Sequence, residues 1–328
     1  MKLVVVSEKL IGNILANSIY TESGVMFLNK GNKINDTVIK RLKKMCITTI
    51  YIEDGNDDIT LQEVLPTPIK LQVLKSLKLL FKEVKETEYV NDKKTIEIIK
   101  TIIQNINLYE NAALISNLIP NDELSKLTIH SLDVTIVSLM LGIKKRFDEA
   151  KLIKLGVAAL LHDIGKLFSE DPKHVKIGHD LVRKNSVFAA TTYMAIYYLY
   201  EREDGSGPYK IKGEKLHDFA KIISISNEYI KNITGEQAML PHEAIEKITA
   251  QAIEKFDKEI YKDFVDSIYC YPNGLQVKLN NGLQGIVVMQ NKGATTRPIV
   301  AVHTNNSYSF CNLMNESNLT LFVEEVIL

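Results

Sequence analysis

The chain runs to 328 residues, enough for two or three domains that each bury a core. It is 45% hydrophobic and 24% charged, an ordinary globular composition, and its 40 Lys+Arg balance 40 Asp+Glu. Zero net charge argues against a nucleic-acid binder that works through a broad basic surface, a local patch aside, while three scattered cysteines, Cys46, Cys270 and Cys311, make no CxxC or Cys/His cluster and read as buried thiols of a reducing compartment.

Residues 1–53 carry short β-type runs, LVVV near the start, GVMFL at 24–28 and TTIYI at 48–52. Between them DTVIKRLKK (36–44) has the spacing of a short amphipathic helix with Asp36 as its N-cap. The opening run is too short for a signal peptide and is interrupted by Glu8 and Lys9. No stretch reads as the roughly 18 apolar residues of a spanning helix, the longest candidate being 192–200, so no membrane span is expected and the expected location is the cytoplasm. The acidic, proline-containing stretch 54–68 reads as a linker.

From 69 to 267 the texture is helical. IKLQVLKSLKLLFKEV and TIEIIKTIIQNI repeat apolar residues at three-and-four spacing. Asp122 is placed to cap a helix running through His130 to Leu141, and 149–161 (EAKLIKLGVAALL) turns almost wholly apolar toward its end. Further helices are expected over 174–184, 187–201, 215–231, 242–254 and 257–267. The last part, 268–328, changes to strands: GLQVKLN alternates, Asn281-Gly282 marks a hairpin turn, and GIVVMQ, PIVAVHT and LTLFVEEVIL follow. The expected fold class is α+β, an all-helical core with small β-rich modules at both ends.

The residues with chemistry in them are His130, His162, Asp163, Lys166 and His174. His162 and Asp163 emerge where the most apolar helix ends, and adjacent imidazole and carboxylate can converge on a metal. Lys166 stands four residues past His162 and would share its face if the helix continued, presenting an ammonium to a phosphate oxygen. A lone histidine is more often a satisfied core residue, and an isolated His-Asp dipeptide says little; HDIGK at the end of a buried helix, with His130 upstream, is far more specific. The loop Asp204-Gly205-Ser206-Gly207 offers backbone N–H groups to a phosphate, or is an ordinary surface turn. Lys210, Lys212, Lys215 and Lys221 would draw an anion, or are simply solvated. Tyr197, Tyr198 and Tyr200 read as core packing before a platform for a guanine.

Several motifs resemble the HD-GYP branch of the HD-domain metallo-phosphohydrolases: HSLDV (130–134), LLHDIGK (160–166), HVKIG (174–178), EREDGSGPY (201–209), KGEKLHDFAKIISISNEY (212–229), FDKEI (256–260) and YPNGLQVKLNNGLQGIVV (271–288). The resemblance covers about 110–328 and implies an HD-type helical core, metal ligands at His130, His162, Asp163 and His174, and catalytic roles for Asp163 and Lys166; the glycine loop and the lysines make Gly205, Gly207 and Lys221 the expected ligand contacts. The implied cofactor is a divalent metal, iron or manganese, the alternative being that none is bound. The implied partners are cyclic di-GMP or another cyclic dinucleotide, and a protein partner, with no nucleic-acid polymer. The sequence departs from the family where adjacent histidines and a later aspartate are expected: Leu199, Tyr200 and Asn227 stand there, Gly-Tyr-Pro reads Gly207-Pro208-Tyr209, and the stretch between HDIGK and the next histidine shrinks to LFSEDPK. These departures point to a degenerate HD-GYP-like signalling protein with weak or absent catalysis and a ligand-binding or protein-interaction role. The alternative is an active metal-dependent cyclic di-GMP phosphodiesterase with a reduced metal site.

Overall fold

The computed structural model describes residues 1–45, 47–55, 62–108, 112–114, 117–169, 173–235, 237–304 and 307–327. Cys46, residues 56–61 of the expected linker and residues 170–172 of the stretch after HDIGK lie outside the described residues.

Strand β1 (Lys2–Val5) pairs antiparallel with β4 (Thr49–Ile52), Lys2 opposite Ile52. Between them come β2 (Ile19–Thr21), β3 (Met26–Leu28) and helix α1 (Asp36–Lys44). Asn35, not Asp36, caps α1: its side chain accepts from the Val38 N–H, while Asp36 sits one residue inside and pairs with Lys40. The side chains that bury themselves here, among them Val4, Leu15, Ile19, Ile39, Leu42 and Ile50, form one apolar core. A two-residue strand, β5 (Gln62–Glu63), follows.

Next come helices α2 (Thr67–Thr87) and α3 (Asp92–Asn105), each burying the apolar face its spacing announced. The helical region is interrupted by two further two-residue strands, β6 (Ala112–Ala113) and β7 (Leu118–Ile119), which pair parallel with β5 and β2 respectively. These pairings were not expected; a two-residue strand leaves no period in a sequence, and its partner lies 50 to 100 residues away. Helix α4 (Glu123–Lys144) is capped by Asp122, whose carboxylate accepts from the Ser125 N–H. By length and composition α4 qualifies as a spanning helix, which corrects the expectation that no stretch would; 67% of its most apolar window is buried among the other helices. A turn at Phe147 leads into α5 (Glu149–Leu160), antiparallel neighbour of α4, and then come α6 (His174–Arg183), α7 (Ala190–Tyr197) and α8 (Asp218–Ile233). The helix expected over 242–254 divides into α9 (Pro241–Ala250) and α10 (Ala252–Lys255), and α11 (Lys258–Val265) closes the bundle.

Beyond it β8 (Gln276–Leu279), β9 (Gln284–Met289), β10 (Ile299–Thr304), β11 (Ser307–Asn312) and β12 (Val323–Val326) build one antiparallel sheet in the order β11-β10-β9-β8-β12. Gly282, at a positive φ of 85°, makes the β8–β9 turn. The two expected terminal modules share a core: Leu3, Ala16 and Tyr51 pack with Leu275, Val277, Val287, Val300 and Leu313. The Leu3 N–H donates to Gly274 O at 2.9 Å and the Tyr51 hydroxyl to Asn273 O at 3.3 Å. Of the cysteines, Cys270 is buried and its thiol is pushed up to about 11 by desolvation, but Cys311 is only partly buried, because β11 lies at the sheet edge.

Candidate metal-binding site

Helix α5 stops at Leu160, and His162 and Asp163 lie in the turn beyond it, before a 3-10 helix (Ile164–Leu167). His162 Nδ1 is 2.7 Å from Ala159 O, an atom that only accepts, so this nitrogen carries the proton and Nε2 presents its lone pair to the site. His130, on α4, brings its Nε2 to 3.3 Å from His162 Nε2 and 3.5 Å from Asp163 Oδ2. Asp163 Oδ2 is 3.3 Å from His162 Nε2, and Asp163 Oδ1 is 3.4 Å from His174 Nε2.

His174 arrives by a close backbone contact. A Cβ on Gly165 would stand 1.9 Å from His174 O and 2.9 Å from Gly178 N. The HDIGK turn and the first turns of α6 therefore meet backbone to backbone, and glycine at 165 is what permits it.

Asp163 and His162 are fully buried and His130 is partly so. Burial by itself would raise the Asp163 carboxyl, but the imidazoles of His162, His130 and His174 outweigh it and hold the group well below the usual carboxylate range. Desolvation lowers the pKa of His130, with Asp163 opposing. A neutral imidazole and an ionised carboxylate are the protonation states a metal needs.

Donor atoms of His130, His162 and Asp163 all lie within 4.8 Å of one another. With bonds of about 2.0–2.2 Å, ligands of one ion stand roughly 3.0–3.5 Å apart, and the separations above fall in that range. Asp163 Oδ1 is also buried without a hydrogen bond. The donor set fits one divalent ion. Among the described residues, three positions expected to hold further ligands supply no imidazole or carboxylate: Leu199 is 1% exposed and packed in the helical core, Tyr200 points its hydroxyl to His174 Nε2 at 3.3 Å, and Asn227 offers only an amide, its Oδ1 3.1 Å from His130 Nε2.

The other expected residues are placed differently. Lys166 does not share a helical face with His162, because the helix has ended; its ammonium pairs with Asp163 Oδ2. Lys221, on α8, pairs with Asp257 at 2.8 Å and Glu203 at 3.4 Å, so its charge is already matched. Gly205, at a φ of 80°, donates its N–H to Arg202 O within the turn. Gly207 lies against Glu201, where a Cβ would stand 2.6 Å from Glu201 Cα. The buried Glu201 carboxylate accepts from the N–H groups of Tyr209 (2.7 Å) and Ile211 (2.8 Å), so the loop closes on an anion of its own rather than on a phosphate. Tyr198 and Tyr200 pack on the helical core as expected, and Tyr197 stacks on Tyr209 at 4.5 Å between ring centres. Lys210, Lys212 and Lys215 are exposed.

Two residues escaped the sequence reading. Glu201 organises the loop, and its signal was its place just before a glycine-rich turn. Lys231 holds its Nζ 5.3 Å from the centre of the Tyr200 ring, and its signal was the four-residue spacing from Asn227 on α8.

Residues 127–229, which carry His130, His162, Asp163, His174 and Asn227, match the family model for the HD domain. The cyclic di-GMP phosphodiesterase PA4108 of Pseudomonas aeruginosa is 24% identical over 245 residues, 68% of this chain; the match spans 58% of that protein's length. Among solved structures, Bd1817, an HDG"Y"P protein from Bdellovibrio bacteriovorus, is similar with a TM-score of 0.47 and 19% identity, covering 80% of this chain and 97% of that one. A cyclic GMP-AMP specific phosphodiesterase of V. cholerae, V-cGAP3, gives a TM-score of 0.34 and 18% identity, over 41% of this chain and 42% of that one.

Proposed function

We propose that this chain, a member of the HD-GYP branch of the HD-domain family, is a signalling module of the cyclic di-GMP type that binds a cyclic dinucleotide at a one-metal site and turns it over slowly or not at all. The observation that carries the reading is the pairing of intact donors with blank ones. His130, His162 and Asp163 converge within 4.8 Å, while Leu199, Tyr200 and Asn227 supply no imidazole or carboxylate for a second ion.

A bound iron or manganese ion would polarise the phosphorus and acidify a water, and His130, His162, Asp163 and His174 would hold it. The chain's own groups do the rest. Ala159 O fixes the His162 tautomer, Asp163 stays ionised at the site's centre, and Lys166 places an ammonium beside it. The Tyr200 hydroxyl stands 3.3 Å from His174 Nε2 and so orients that imidazole beside Asp163. In-line cleavage of a phosphodiester ordinarily uses two metals, one for each reacting oxygen. Loss of one electrostatic stabiliser costs roughly two to three powers of ten in rate.

The second reading, an active phosphodiesterase with a reduced site, is favoured by the completeness of the first donor set. Metal analysis together with cyclic di-GMP binding and turnover in added manganese or iron separates the two. About one metal per chain, binding and negligible hydrolysis are expected; robust hydrolysis abolished by Asp163→Ala would establish the second reading. A cytoplasmic location and a protein partner that reads the bound state belong to the same proposal, as does the division into a terminal β-rich module (1–53), a linker (54–68), a helical domain (69–267) and a second β module (268–328).

A further inference from the structure

We propose that Lys231 makes the site a seat for a phosphate oxyanion that needs no metal, its ammonium supplying the positive charge that the missing ligands would have gathered as a second ion. The inference rests on the reading above that the ligand is a phosphodiester, and it adds how that ligand is held.

Asn227 and Lys231 lie one turn apart on the same face of α8 and bracket the cluster. Asn227 touches His130 at one end. At the other, Lys231 stands over the Tyr200 ring, Tyr200 touches His174, and His174 touches Asp163. The charges then sum simply. Asp163 is offset by Lys166, and the carboxylate of Glu228 is engaged by Lys255 at 3.5 Å. Among the described residues the Lys231 ammonium makes no ion pair and no hydrogen bond. Its side chain reaches solvent, yet the surrounding protein desolvates the ammonium enough to lower its pKa against the pull of Asp163. A solvent-reaching ammonium without a carboxylate partner is open to an incoming anion. An oxyanion at the Lys231 ammonium gains a charge-assisted contact there, with the Tyr200 hydroxyl and the Asn227 amide as neutral donors nearby.

The test uses the full-length protein stripped with EDTA, titrated calorimetrically with inorganic phosphate and separately with cyclic di-GMP, each without and with manganese. Both anions are expected to bind without metal. Lys231→Gln should weaken both about ten-fold or more, the worth of a hydrogen bond to a charged group, while Lys231→Arg stays near wild type and neither variant shifts the melting temperature. Binding that appears only with manganese, or that Lys231→Gln leaves unchanged, overturns the inference. If phosphate binds through Lys231 and cyclic di-GMP does not bind, the inference stands and the cyclic-dinucleotide reading falls. If cyclic di-GMP binds regardless of Lys231, the reverse holds.

Discussion

Gly165→Ala isolates the contact that delivers His174 to Asp163. The added Cβ would stand 1.9 Å from His174 O, 2.7 Å from His174 C and 2.9 Å from Gly178 N, all backbone atoms with no rotamer to give way. Restoring an ordinary separation of 3.4 Å requires about 1.5 Å of movement between the 3-10 turn and α6. Overpacking of this kind costs about 1–3 kcal/mol, and a rigid obstacle places this case near the top, roughly a hundred-fold in the folding equilibrium. The same movement opens the 3.4 Å approach of His174 to Asp163, which should weaken divalent-metal affinity by about ten-fold. Gly142→Ala is the control. There the Cβ meets Leu152 and Leu155 methyls at 2.8 Å, flexible ends that can turn aside, and the helix gains the roughly 0.5–1 kcal/mol by which alanine exceeds glycine. Urea unfolding and manganese titration of both variants measure the two effects. Equal stability and metal affinity for Gly165→Ala and wild type would refute the argument.

Asn227→Asp, which restores a carboxylate 3.1 Å from His130, should raise manganese affinity about ten-fold or more by calorimetry. Leu199→His should instead lose about 2–5 kcal/mol in urea unfolding, because Leu199 lies inside the helical core and its replacement by imidazole leaves a polar ring without water. Glu201→Ala removes the acceptor of two backbone N–H groups, and limited proteolysis should then cut within 205–211 faster than in the wild type. Asp133, on α4, has its carboxyl raised by burial to about 6, with Lys70 opposing. A raised carboxyl stabilises the fold while protonated and loses that contribution as pH rises through about 6. Asp133→Asn should therefore gain little melting temperature at pH 4 and most above pH 7, up to about 3 kcal/mol less what its residual solvent contact screens; the same gain at both pH values would exclude the mechanism.

Much of this was legible because it is local. The three-and-four spacing of Val73, Leu77 and Val84 names a buried face, Asp122 announces a helix start three residues before Ser125, and HDIGK at the end of an apolar helix marks polar ligands in a dry place. What escaped depends on partners distant in sequence. Lys166 was placed by assuming that the helix continued, whereas α5 ends at Leu160 and the ammonium turns back on Asp163. Gly207 resembled a phosphate loop, but its smallness serves the approach of Glu201. Lys221 and Lys231 look alike in sequence; only the positions of Asp257 and Glu203 reveal that one is matched and the other is not. Leu199 stood as a vacant ligand position until its burial placed it in the core.

The pairing of Leu3 with Leu275 bears on how the chain is made. β1 is translated before the helical region, and the strands that complete its core are translated after it. At about 5–20 residues per second, that interval lasts on the order of tens of seconds. Through it, Leu3 and Tyr51 lack Leu275, Val277, Val287, Val300 and Leu313, which complete their core, and the helical bundle can assemble first from contacts near in sequence. Closing so long a loop is slow and comes late. The two β-rich ends then fasten around a bundle that has already formed, and a ribosome-stalled chain lacking residues after 270 should leave the first strands accessible to chaperones.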